Sequence, residues 1–134
     1  MLRQLAIIAL AIFSFCACDE KKERPSDALG TARAFIRYSL DGDYKAAREL
    51  MYQDSVNLFE LEQIEKKYKT DLSNAEKENY RKSSILIHSV ENVSDSVVII
   101  NYSNTFRKKQ MPVKVFLKDG QWQVDFNYTF TGNL

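Results

Sequence analysis

Few side chains in this 134-residue chain have a wide chemical repertoire: one histidine, His88, two cysteines, Cys16 and Cys18, and seven tyrosines, Tyr80 and Tyr102 among them. A partly buried imidazole titrates near neutrality and a phenol can share its proton, so His88, with Tyr80 or Tyr102, is the best candidate for a titratable pocket group. The competing role for His88 is structural. Leu86 and Val90 flank it at two-residue spacing, the setting of a hydrogen-bonded strand histidine at a sheet face. One histidine and no further cysteines make no zinc set, and the carboxylates lack calcium-loop spacing, so neither a metal nor a cofactor is expected. Gly30, Gly42, Gly120 and Gly132 are isolated and build no phosphate-cradling loop. No serine stands in a nucleophile-elbow context.

Composition excludes further classes. The chain is 45% hydrophobic and 28% charged, with 19 basic and 18 acidic residues, as in an ordinary globular domain. A formal charge of +1 leaves no broad electrostatic footprint for nucleic acid. The basic triplet Arg107-Lys108-Lys109 reads as a solvated hairpin tip, with contact to anionic headgroups as the alternative.

The cysteines lie in the N-terminal segment. Arg3 precedes Leu5 to Phe15, an eleven-residue run broken only by Ser14, which has the form of a secretory signal. As a helix this run would span roughly 17 Å, short of the ~30 Å hydrocarbon core. The following Phe15-Cys16-Ala17-Cys18 resembles a bacterial lipobox, in which a small residue precedes a cysteine that is acylated and becomes the mature N-terminus. Ala17 supplies the small residue, so the resemblance implies lipidation at Cys18, with palmitate-type chains holding the protein to a lipid bilayer in the bacterial cell envelope. The resemblance leaves the membrane and leaflet open. Ordinary cleavage with free thiols or a Cys16/Cys18 disulfide is the alternative, although a bridge across one intervening residue would strain the backbone. The expected organisation is a signal peptide over 1–17, a charged solvated tether over 18–25 and one domain over 26–134.

The domain reads as helices followed by strands. Ser26 or Asp27 can cap a helix with Ala28, Leu29, Ala32, Phe35, Ile36 and Leu40 inward, Arg33 and Arg37 outside and Gly42 as its stop. Asp43 opens a second helix with Tyr44, Ala47, Leu50 and Met51 on one face. Asp54 or Ser55 opens a third, striped by Leu58, Leu61, Ile64, Tyr68 and Leu72, and Ser73 with Glu76 forms a capping box for a continuation to about Lys82. Four β-rich runs follow: Ile85 to Val90, Val97 to Phe106, Met111 to Leu117 and Gln121 to Phe130. If Asp119-Gly120 is a type I′ turn, Leu117 faces Trp122, Val115 faces Val124, Val113 faces Phe126 and Met111 faces Tyr128, while Lys114 meets Asp125 on the other side. Pro112 then falls opposite Asn127 with no N–H to give, which predicts a bulge or the end of pairing there. The fold class is α+β, with helices on one face of a curved four-stranded antiparallel sheet.

Two segments carry a wider resemblance. Residues 32–47, with Leu40-Asp41-Gly42-Asp43-Tyr44 at their centre, resemble the opening helices of the nuclear transport factor two-like superfamily. Residues 115–125, around Lys118-Asp119-Gly120-Gln121-Trp122, resemble the final hairpin of small bacterial lipoproteins of that superfamily with a domain of unknown function. The resemblance implies a cone-shaped (cystatin-like) roll with a pocket between helices and sheet. Its enzymes use pocket carboxylates with tyrosine, or histidine with aspartate, and no internal carboxylate emerges here by alternation. The function expected is therefore a non-catalytic envelope lipoprotein binding a small apolar ligand or an envelope protein. Alternatives are an isomerase- or dehydratase-like enzyme using His88, and an accessory or immunity-type subunit docking through an outer face bearing Gln121, Gln123, Asp125, Asn127 and Thr129. That polar face favours a monomer or weak dimer.

Overall fold

The computed structural model describes residues 22–131. The signal peptide and the acylation site at Cys18 expected from the sequence lie outside these residues. The element order is α1 (Ala28–Asp41), α2 (Tyr44–Glu49), α3 (Ser55–Thr70), α4 (Asn74–Lys82), β1 (Ile85–Ser94), β2 (Val97–Asn104), β3 (Met111–Lys118), β4 (Gln121–Asp125) and α5 (Asn127–Thr131). The fold is α+β, with helices followed by an open antiparallel sheet in the order β1-β2-β3-β4.

Each long helix begins where a side chain can satisfy an orphan amide. Asp27 Oδ1 accepts from Gly30 N at 2.8 Å, Asp43 Oδ1 from Ala46 N at 3.1 Å and Asp54 Oδ1 from Asn57 N at 2.8 Å. Gly42 closes α1 in the left-handed region at φ 78°. α4 is a separate helix opened by the full capping box, in which Ser73 Oγ accepts from Glu76 N and Glu76 Oε2 from Ser73 N. Hydrogen bonds from Ser73, backbone first and hydroxyl second, hold the Glu76 carboxyl below its ordinary value. A depressed carboxyl contributes stability that is full above its unfolded pKa and is lost as pH falls through the folded one. Acidification from about pH 5 to about pH 3 is therefore expected to fray the first turn of α4. Lower protection at Glu76 and Lys77, measured against the unstructured exchange rate at each pH, would report it, and Ser73→Ala should show low protection throughout. Protection that stays level across that range would refute the capping role.

The core lies between α1 and one face of the sheet. α1 contacts all four strands and buries Ala32, Phe35, Ile36 and Leu40 against Val98, Ile100, Val113, Val115 and Val124. Burying each of the larger aliphatic side chains contributes roughly 1.5–3 kcal/mol, so this layer supplies most of the driving force. Asp119 and Gly120 both take positive φ, 52° and 73°, and the hairpin has the expected register: Leu117 opposite Trp122, Val115 opposite Val124 and Lys114 opposite Asp125.

Several expectations are corrected. β4 does not run to Phe130 but ends at Asp125, so Val113 and Met111 never pair with Phe126 and Tyr128. Without an amide at Pro112, the ladder stops. Pro112 O accepts from Thr129 Oγ1 at 2.9 Å and Asn127 N donates to Asn57 Oδ1 at 2.8 Å, which turns the chain into α5. Phe126 still enters the core, its ring 5.4 Å from that of Phe35. Asn127 and Thr129 are thus helical residues, not part of an outer strand face. That face also carries Val97 paired with Phe116 and Ile99 paired with Lys114, so it is less polar than β4 alone suggests. Finally, α2 ends at Glu49. Leu50 and Met51 leave the helix and run beside β4 as a short parallel bridge, with Val124 N donating to Leu50 O and Tyr52 N to Val124 O, both at 2.9 Å. The bridge covers part of an edge that would otherwise be unpaired.

Candidate functional site

The three sequence candidates do not converge. His88 is the extra residue of a β-bulge between Ile87 and Ser89; it is exposed, and its Nε2 lies 2.8 Å from Ser103 Oγ. The bulge also reverses the alternation, so Leu86 pairs with Ser103 on one face and Val90 with buried Ile100 on the other. Tyr102 pairs with Ile87 on the core face, opposite to Ser103, and burial pushes its phenol up to about 12. Tyr80, near the end of α4, accepts from Arg107 Nε at 2.7 Å, and its ring stands edge-on to Phe106 at 4.9 Å. Arg107 is exposed, as expected of a hairpin tip, and the Tyr80 hydroxyl also holds its guanidinium and raises its pKa further. Lys108 and Lys109 are exposed.

The charged segment before α1 is also not wholly solvated. Lys22 Nζ lies 3.4 Å from Asp43 Oδ2 and 4.5 Å from the centre of the Tyr38 ring. Arg24 Nη1 donates to Glu49 O at 2.7 Å and Nη2 to Trp122 O at 2.8 Å, strapping the chain across the end of α2 and β4. The 18–25 tether expected from charge density therefore docks through its final residues. Composition shows that such a segment cannot form a core, but not that carbonyl oxygens elsewhere will capture its guanidinium.

Two clefts open beside β4, and Trp122 lines the second. One, of about 410 Å³, is polar, with Arg24, Glu49, Gln53, Lys118, Gln121 and Gln123 around it. The other, of about 550 Å³, opens where the sheet continues past the first turn of α1. Val90 shows the cause: its strand partner Ile100 is fully buried, yet Val90 is 44% exposed, because no helix among the described residues covers that part of the core face. Leu29, Val90, Val98 and Trp122 form an apolar floor, and Asp27, Asn92 and Asp95 bring polar groups to the same space. Its size falls in the range of small-molecule sites. His88, Tyr80 and Tyr102 line neither cleft.

Sequence reasoning missed this site. It gave Trp122 only a pairing with Leu117, and alternation placed Val90 on the same face as Leu86. Only the bulge at His88 brings Val90 to the core face, and bulges leave no dependable mark in a single sequence. Among the described residues no group of three or more His, Cys, Asp or Glu side chains is placed to hold a metal ion, and no helix is long and apolar enough to cross a membrane. Compared with protein-family models, with curated proteins and with solved structures, the chain matches none.

Proposed function

We propose that this chain is a bacterial envelope lipoprotein, cleaved before Cys18 and held to a bilayer by acylation there, whose domain is a non-catalytic binding module of the nuclear transport factor two-like, cone-shaped kind. The Trp122 cleft is its binding site, and a small apolar ligand is the occupant. One observation carries the binding reading: a roomy apolar recess at the open end of the helix and sheet layers, floored by the only tryptophan of the chain. The lipid anchor rests on the sequence around Ala17-Cys18.

Both parts are testable on the full chain. Cys18→Ala is expected to abolish metabolic labelling with radioactive palmitate and to release the protein from membranes; labelling that persists would remove the anchor. With the full chain in phosphatidylcholine vesicles, 1-hexanol should shift Trp122 emission saturably. Val90→Lys, at a half-exposed position that leaves the core intact, should weaken that response at least tenfold by placing a long charged side chain at the floor. A linear response to hexanol, or one indifferent to Val90→Lys, would refute binding in this cleft.

A further inference from the structure

The character of the rim narrows the class of ligand, given the reading of the cleft as a binding site. The described residues around it include two carboxylates, Asp27 from the cap of α1 and Asp95 from the turn between β1 and β2, and among them no lysine, arginine or histidine. That bias does not come from composition, because the chain has 19 basic residues against 18 acidic ones. The nearby cation, Arg24, has both terminal nitrogens committed to the carbonyl oxygens of Glu49 and Trp122. The two carboxylates are not equivalent. Asp27 already accepts the amide of Gly30 and faces the positive end of the α1 dipole, which offsets part of its charge. The exposed Asp95 carboxylate has no side-chain hydrogen bond or ion pair with the described residues.

We infer that the Trp122 cleft takes cationic amphiphiles: an alkyl group lies on the floor of Leu29, Val90, Val98 and Trp122, and an ammonium group meets Asp95 and the outer oxygen of Asp27 at the rim. An ionised carboxylate has acceptor sites left after one hydrogen bond, and charge-assisted N–H···O bonds are roughly twice as strong as neutral ones. An anionic head in the same position would face two like charges. The apolar floor supplies affinity common to any alkyl ligand, and the rim supplies the selection among heads.

Hexylamine, 1-hexanol and sodium hexanoate share an alkyl chain and differ in head charge at pH 7, which makes them suitable probes. The full chain in phosphatidylcholine vesicles is titrated with each, and emission of Trp122 is the readout. Hexylamine is expected to bind about tenfold or more tighter than hexanoate, with hexanol between them. Asp95→Asn, in an exposed turn, should remove most of the advantage of the amine over hexanol. An amine that binds no tighter than hexanol, or an amine preference that survives Asp95→Asn, would overturn the inference while leaving the cleft as a binding site. Absence of a saturable response to all three probes would overturn both readings.

Discussion

Replacing Gly42 with alanine is expected to destabilise the domain by roughly 2–4 kcal/mol, lowering Tm by about 10 °C. Two costs coincide at this position. The backbone sits at φ 78°, where an L side chain loses about 1–2 kcal/mol, and a Cβ built there would lie 2.6–2.8 Å from two ring carbons and the hydroxyl oxygen of Tyr68. Tyr68 cannot move away cheaply. Its ring meets that of Tyr44 edge-on at 5.5 Å, and its hydroxyl is buried, so the far end of the side chain is hemmed in. The two costs separate experimentally. Gly42→Asn tolerates left-handed backbone and should relieve the first cost only, so it remains destabilising by about 1–2 kcal/mol. In a Tyr68→Ala background the penalty of Gly42→Ala should fall towards the backbone cost alone. Denaturant unfolding that finds Gly42→Ala within about 0.5 kcal/mol of the parent would disprove the close approach.

The second large effect belongs to Arg37. Its side chain leaves α1 and ties down the end of α4, with Nη1 donating to Ser83 O at 2.7 Å and Nη2 to Tyr80 O and Arg81 O at 3.1 and 3.2 Å. Asp41, one turn on, fixes the fork through Nε at 3.1 Å. α4 has no buried residue of its own, so the hydrophobic effect holds it only weakly and the guanidinium replaces much of that missing attachment. Arg37→Ala should cost roughly 2–3 kcal/mol, since three carbonyl oxygens lose a charged donor at a partly exposed site. Arg37→Lys should recover less than half, because a point ammonium cannot reproduce the planar fork. The loss should be local: amide protection in α4 should fall further than protection of Ile100 or Val115. Equal loss in helix and sheet, or none in either, would refute the clamp.

Arg37 also marks where sequence reading stops. Helical periodicity places it on the polar side of α1, which is correct, and suggests solvent as its partner, which is not. The partner is the end of a helix more than forty residues away, and nothing local to Arg37 encodes that meeting. The same division applies to the site. Trp122, Val98 and Leu29 are visible as apolar residues on periodic elements, yet their convergence on an open recess depends on where α1 ends relative to the sheet and on a bulge at His88.

The features that the amino-acid order determined by itself are those whose causes span a few residues. Aspartates three positions before an amide cap α1, α2 and α3, Ser73 and Glu76 satisfy each other, Gly42 takes a backbone angle that other residues resist, and Asp119-Gly120 sets a hairpin register that alternation then propagates. The tertiary structure alone decided the escape of Leu50 and Met51 from α2, the docking of Arg24 and the exposure of Val90. Each of these depends on whether a distant strand, carbonyl or helix is present to complete a hydrogen bond or cover an apolar face, and pairings over such separations arise only when the whole chain has closed on its core.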